Sequence, residues 1–306
     1  MNGALWAERF CEHLRLLNRS AKTAHGYGLE VRLFCRFLAE RGVTEVSGIG
    51  RDDVTAYRVH LHESRKPNGE PLSIKTQAGK LGAVFSFLRY LHDEGFILAN
   101  PARNMKLPRV PDTLPAELPT EEQVLKLLEQ PDTGNPQGRR DRALLELLYA
   151  SALRNSEMRA LLVEDLDLHR LELRVRLGKG QKGRMVPMAE PAAEWLEEYL
   201  VKGRPHLARD PECRVLFLNQ WGRALTSEVL AGIVKAHGES AGLPMKVTPH
   251  VLRHSCATHM LARKAGLRHI QRLLGHASST TTERYTRVEV SDLREVFLRC
   301  HPRENC

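Results

Sequence analysis

From Leu5 to Phe96 the apolar side chains return every three or four positions, most clearly at Tyr27, Val31, Phe34 and Leu38 and again at Leu81, Phe85, Leu88 and Leu91. That period gathers them on one face of a helix, whereas a strand would need strict alternation. Ser20 and Ser73 stand where N-caps belong, and Gly42 and Gly95 where helices stop. The pattern predicts four helices, with Lys75, Lys80 and Arg89 lying off the apolar stripe. Pro101, Pro108, Pro111, Pro115 and Pro119 follow. Proline at that density suits neither a helix interior nor a central strand. The chain therefore divides into a helical domain over residues 1–106, a proline-rich linker over 107–119 and a second domain over 120–306.

Thr120-Glu121-Glu122-Gln123 opens the second domain as a capping box, in which Thr120 accepts from a backbone amide one turn on and Gln123 reaches back. Helical spacing runs through Leu144, Leu147 and Leu148, then gives way to alternation at Leu171, Leu173, Val175 and Leu177, with Glu172, Arg174 and Arg176 on the opposite face. This predicts a strand. The turn Gly178-Lys179-Gly180-Gln181-Lys182-Gly183-Arg184 leads into a partner strand, Met185-Val186-Pro187. Helices are predicted around 190–202, 226–241, 249–264, 267–274, 279–286 and 291–300, the last capped by Ser291. The fold class is thus mainly α with a small antiparallel β-sheet, in two domains: an N-terminal four-helix domain and a C-terminal α+β domain.

A chain of 306 residues buries enough surface for two cores. The formal charge is +9, and residues 1–110 carry 17 basic against 11 acidic side chains. A basic surface of this kind suits a polyanion, because each Lys or Arg laid on a phosphate releases a condensed counterion. Cys11, Cys35, Cys213, Cys256, Cys300 and Cys306 are scattered without a C-x-x-C pair, which argues against a zinc site or a disulfide framework and for a reducing compartment. No apolar run approaches the ~18 residues of a membrane span, and the first residues lack the regions of a secretion signal. A cytoplasmic protein is expected.

Two motifs place chemistry. In Thr248-Pro249-His250-Val251-Leu252-Arg253-His254, Thr248 is a natural cap and Pro249 a natural first helical residue, so His250 and Arg253 fall near the first turn on a shared face. Helix N-termini already favour anions. Further on, Leu274-Gly275-His276 ends a helix, with Gly275 suited to the left-handed residue that lets the chain turn and present His276. Tyr285 follows in Thr281-Thr282-Glu283-Arg284-Tyr285, on a short segment opened by Ser278 and Ser279. A phenol becomes a nucleophile when its pKa of ~10 is met by a base or by surrounding cations.

Attack on a DNA backbone gathers charge on two non-bridging oxygens, and the departing sugar oxygen needs a proton. Cations and donors must converge on one phosphate. Arg154 and Arg253 suit the clamp, since the guanidinium fork stays charged and donates twice. Lys179, with glycine on either side, is suited to protonate the leaving oxygen. Lys182 competes for that task. Glu157, three residues after Arg154, either steadies a guanidinium or makes an ordinary helix-surface salt bridge.

Leu153-Arg154-Asn155-Ser156-Glu157, the G-K-G turn, H-x-x-R, L-G-H and T-T-x-x-Y together resemble the active site of the tyrosine recombinases, the Xer and phage-integrase family. The resemblance spans about Pro119 to His301 and implies a catalytic set of Arg154, Lys179, His250, Arg253, His276 and Tyr285, with Glu157 in the accessory acidic place. It implies that the N-terminal helices form a SAM-like core-binding DNA-binding domain; Lys75, Lys80 and Arg89 there, and Lys182 and Arg184 in the second domain, are candidate DNA contacts. It further implies a 3′-phosphotyrosine intermediate, no metal or ATP requirement, and a substrate of double-stranded DNA with paired inverted half-sites. Four copies would act on two synapsed sites, alone or with a second recombinase or accessory proteins. Leu293, Val296, Phe297 and Cys300 form a stripe in the last predicted helix that either packs on its own domain or docks on a neighbouring protomer. Two rival activities share much of this chemistry: a type IB topoisomerase that relaxes DNA, and a catalytically silent DNA-binding regulator.

Overall fold

The computed structural model describes residues 2–111, 117–176, 183–275 and 287–304. It comprises two compact units, Met1–Leu114 and Pro115–Cys306. The first holds α1 (Gly3–Leu16), α2 (Ala21–Glu40), α3 (Arg51–Glu63) and α4 (Ile74–Asp93), with a 3₁₀ turn at Val46–Gly48. Ser20 and Ser73 cap α2 and α4 as the spacing predicts, accepting from the amides of Thr23 and Thr76 at 3.1 Å. The apolar stripes meet in a core of Phe10, Val31, Phe34, Leu38, Tyr57, Leu81, Phe87, Leu88 and Leu91. Glycine matters where α1 crosses α2, because a Cβ on Gly28 would run into Cys11 Sγ. The small residue lets the two helices approach.

The second unit begins with α5 (Glu121–Leu128). Its capping box is complete: Gln123 N donates to Thr120 Oγ1 at 3.2 Å and Thr120 N donates to Gln123 Oε1 at 2.9 Å. The chain continues through α6 (Pro136–Ser151) and α7 (Asn155–Ala160) to the strands β1 (Leu166–Asp167), β2 (Glu172–Val175) and β3 (Arg184–Pro187). Then come α8 (Glu190–Glu198), α9 (Arg204–Leu207), α10 (Ser227–Ser240), α11 (Pro249–Ala262), α12 (Leu267–Leu274) and α13 (Arg287–Cys300). Every residue of α6 from Ala143 to Ser151 is buried, so the other helices pack around it. With β1, β2 and β3 in that order, the antiparallel sheet pairs Leu173 with Val186 and Val175 with Arg184, which puts these four side chains on one face.

Four local departures have physical causes. β1 went unread because two residues carry no alternation. Leu171, read as the start of the strand, adopts φ 54° and belongs to the turn before it; Leu177 lies outside the described residues. The helix expected over 190–202 ends at Glu198 and passes into a π-helical turn, Tyr199–Gly203, before α9; Pro205 has no N–H to continue the α-helical ladder. The last helix begins at Arg287, so Ser291 lies inside it rather than at its cap. The helix expected over 279–286 lies outside the described residues.

Within this chain, side chains of the C-terminal stripe pack on their own domain. Phe297 and Cys300 join the core, and Phe297 stacks on the buried His301 with ring centres 4.5 Å apart. Beyond α13, Arg303 donates twice to the fully buried Glu146 of α6, at 2.8 and 2.9 Å, and Arg142 approaches the same carboxylate at 2.9 Å. Removing one member of a buried ionic cluster strands the others without partners. Glu146→Ala is therefore expected to lower the stability of the second unit by about 3 kcal/mol, measured by urea denaturation, with Arg303→Ala showing a smaller loss because Arg142 still faces the carboxylate.

Candidate active site

Residue Ala152 ends α6 in the left-handed conformation, φ 48° and ψ 35°, an uncommon choice for a residue with a Cβ. The turn sends Leu153 into the core and leaves Arg154 as the N-cap of α7. Glu157 reaches back to this cap, accepting from Arg154 N at 2.9 Å and from Arg154 Nη1 at 2.8 Å. Both carboxylate oxygens also accept from Arg184 of β3, at 2.9 and 3.0 Å. Arg253 of α11 brings Nη1 to 4.0 Å from the same carboxylate. Three guanidiniums from three separate elements thus surround one buried acid.

Two of these arginines also close the end of α12. Arg253 Nη2 donates to Leu274 O at 2.6 Å, and Arg154 Nη2 to Gly275 O at 3.1 Å. Arg253 Nη1 donates to Ala152 O. Carbonyls at a helix C-terminus have no partner within the helix and carry partial negative charge, so cations are favoured there. Gly275 adopts φ 60°, the left-handed residue expected from the sequence. A second reason for glycine emerges: a Cβ there would lie 2.7 Å from Arg184 Cζ.

The electrostatics follow from this crowding. Burial alone would raise the Glu157 carboxyl, but hydrogen bonds from Arg184 and from the Arg154 amide, with the Arg184 charge, bring it down to about 2. Burial, together with the cations of Arg154 and Arg184, lowers Arg253 to about 10 against the opposing pull of Glu157. Arg253 stays charged at neutral pH. Arg154 is the most open of the three, its side chain 41 % exposed against 6 % for Arg253 and 10 % for Arg184.

The other candidates divide. His250 is exposed in the first turn of α11, where Thr248 caps the helix by accepting from Val251 N at 3.2 Å. Lys179, Lys182, His276 and Tyr285 lie outside the described residues, as do Ser278 and Ser279. On the first unit Lys75 and Arg89 are exposed along α4. Lys80 is held differently, its ammonium 2.7 and 2.8 Å from the two oxygens of Glu30. Arg184 also departs from its expected place among the DNA contacts, because its guanidinium turns inward to Glu157. The signal for this lay in the alternation: Arg184 is two residues before the buried Val186 and shares its face. The carbonyls of Ala152, Leu274 and Gly275 carried no such signal. Among the described residues, no group of three or more His, Cys, Asp or Glu side chains is arranged to hold a metal ion.

Residues 118–291 match the Phage integrase family, and residues 7–95 match the phage integrase N-terminal SAM-like domain. The chain belongs to this family, the tyrosine recombinases. It is 39 % identical over 308 residues to the tyrosine recombinase XerD of Mycobacterium tuberculosis H37Rv, covering 98 % of each chain. It is 38 % identical over 297 residues to the tyrosine recombinase XerC 2 of Ralstonia nicotianae, covering 97 % of this chain and 85 % of that one. Two solved structures share the fold. The Tn1549 transposon integrase, in complex with circular intermediate DNA, has a TM-score of 0.69 at 20 % identity and covers 94 % of this chain and 98 % of its own. XerH bound to difH substrate has a TM-score of 0.66 at 21 % identity, covering 97 % and 82 %. In this tyrosine recombinase no helix among the described residues is long and apolar enough to cross a membrane.

Glu157 has a depressed pKa, so its contribution to stability is fully present above the unfolded carboxyl value of 4.5 and is lost as pH falls through about 2. Comparing wild type with Glu157→Gln by denaturant melts is expected to show a stability difference that shrinks by about 3 kcal/mol between pH 6 and pH 2. A difference that stays constant across that range would contradict the placement of this carboxylate.

Proposed function

We propose that the protein is a site-specific DNA recombinase that cleaves and rejoins duplex DNA through a 3′-phosphotyrosine. The observation that carries this reading is the meeting of the Arg154 and Arg253 forks at the Leu274–Gly275 end of α12, directly before His276 in the chain. An arginine has five N–H donors; the carbonyl bonds orient each fork while others serve the two non-bridging oxygens of the scissile phosphate. These oxygens gain charge as the phosphorus becomes five-coordinate, and fixed cations stabilise that state without reorganising.

In the proposed sequence Tyr285 Oη bonds to phosphorus as the bond from phosphorus to the 5′ oxygen breaks. His250 takes the phenolic proton, Lys179 supplies a proton to the departing 5′ oxygen, and His276 donates to a non-bridging oxygen. Glu157 keeps the arginines in place. Attack on the phosphotyrosine by a 5′ hydroxyl of the partner duplex reverses the chemistry and joins new ends. One phosphoester is exchanged for another, so neither ATP nor a metal is needed as a source of driving force. Two duplexes require four such exchanges, hence four copies on paired inverted half-sites, with Lys75 and Arg89 on the first unit as further contacts to the DNA backbone. The same chemistry with a single protomer would relax supercoils, but relatives at 38–39 % identity over nearly the whole chain are recombinases by name, which favours strand exchange over relaxation and over a silent regulator. The bacterial relatives support action on chromosomal or mobile DNA in the cytoplasm.

The test uses a duplex selected by the wild-type protein from a random-sequence pool and then nicked beside the scissile phosphate to trap the adduct. Tyr285→Phe is expected to yield no covalent protein–DNA adduct while its affinity stays within about threefold of wild type; an adduct of normal yield in this variant would remove the proposed nucleophile. On the same duplex Arg253→Ala is expected to slow adduct formation by about 10²- to 10³-fold, read as a single-turnover rate on denaturing gels.

A further inference from the structure

The sheet contributes an arginine that the catalytic set does not include. Arg184 is nine-tenths buried, faces the core with Val186, and commits both terminal nitrogens to the two oxygens of Glu157. Among the described residues its Nε is buried with no hydrogen-bond partner. A buried N–H without a partner is unfavourable; the guanidinium is held edge-on by Glu157 and lies so near Gly275 that a Cβ there would stand 2.7 Å from its Cζ. So placed, the side chain is shielded from a passing phosphate.

We propose that Arg184 is a positioning residue for strand cleavage: through Glu157 it holds the Arg154 fork in register, and by lying flush on Gly275 it ties β3 to the end of α12. This rests on the cleavage reading above. Glu157 is the acid on which Arg154 depends for both its amide and one guanidinium nitrogen. With Arg184 present, both carboxylate oxygens are taken from the far side and the carboxylate cannot turn. Without it, the acid is drawn toward Arg253, 4.0 Å away on α11, and Arg154 loses its fixed partner. The side chain also couples segments far apart in sequence, since β3 begins five residues after Lys179, and Gly275 directly precedes His276. A lysine would supply the charge but not the paired donors.

A pH signature accompanies this role. The groups facing Glu157 are Arg154 at the cap of α7, Arg184 on β3 and Arg253 on α11, all cations. Burial opposes ionisation of Glu157, and the hydrogen bond from Arg184 is the foremost influence favouring it. Losing that partner moves the carboxyl upward, so protonation of the acid begins at a higher pH than in the intact site. Protonated Glu157 no longer holds Arg154 by charge, and the rate falls on the acid side.

The experiment compares full-length wild type, Arg184→Met, Arg184→Lys, Glu157→Gln and the double variant Arg184→Met/Glu157→Gln on the nicked duplex described above. Single-turnover adduct formation is read across about pH 5.5 to pH 8.5, beside DNA affinity as a function of salt and far-ultraviolet circular dichroism. Arg184→Met is expected to cleave about 10- to 100-fold more slowly, with its acid limb at higher pH than wild type and the salt dependence of binding unchanged. Arg184→Lys should recover part of the rate. The double variant should be no slower than Glu157→Gln alone, since the two side chains act as one unit. Should Arg184→Met misfold, the Arg184→Lys profile carries the test. A wild-type rate and acid limb in either Arg184 variant would overturn the proposal while leaving the cleavage reading intact. A shallower salt dependence with an unshifted acid limb would overturn it in favour of a direct phosphate contact. No adduct from wild type would remove both readings together.

Discussion

A single buried carboxylate, that of Glu157, makes the candidate active site possible. Three guanidiniums brought to one place repel one another, and in a low-dielectric setting that repulsion is poorly screened. Burial and then the cations of Arg154 and Arg184 lower Arg253 against the pull of Glu157, while hydrogen bonds from Arg184 and the Arg154 amide hold Glu157 low against its burial. One acid shared among three arginines leaves an excess of two positive charges. That excess is what the proposed phosphate clamp would draw on. Replacing the acid with a neutral side chain would leave the cations uncompensated, which costs more than the absence of one hydrogen bond.

The rest of the second unit serves to deliver these four side chains. α6 is buried along its second half and ends in the left-handed Ala152, so a rigid element sets the start of the Arg154 segment. β3 enters from the sheet, and its pairing with β2 places Arg184 on the core side. α11 presents Arg253 about one turn from its cap. α12 then offers its C-terminal carbonyls as acceptors, which gives each clamp a fixed direction before any ligand arrives. The site is therefore built on element ends whose polar groups need partners in any case, and the arginines meet that need.

The first unit has a different task. Its core closes without the second unit's residues, and its surplus of basic side chains sits on exposed helix positions such as Lys75 and Arg89. Not every cation in it is available: Lys80 is neutralised by Glu30 at hydrogen-bonding distance. Counting basic residues thus overstates the charge offered to a polyanion, because internal pairing removes some of them from the surface.

Much was legible in the linear order, since periodicity, caps and turn residues act over a few neighbouring positions. The four N-terminal helices, the capping box at Thr120, the hairpin strands and the H-x-x-R helix all arise from interactions within one or two turns of chain. Glycine at 275 was readable as a left-handed helix end for the same reason. Pairings across the sequence were not legible. Glu157 stands 27 residues from Arg184, and Arg154 stands 121 from Gly275; alternation marks Arg184 as inward-facing, but no local rule names the partner each arginine finds across such distances. Composition made Arg184 and Lys80 look like DNA contacts, while the folded chain turned both toward carboxylates. Residue type and spacing determined which chemistry this protein carries. Tertiary packing alone decided which charges neutralise one another, because Coulomb attraction and desolvation depend on distance in space and not on distance along the chain.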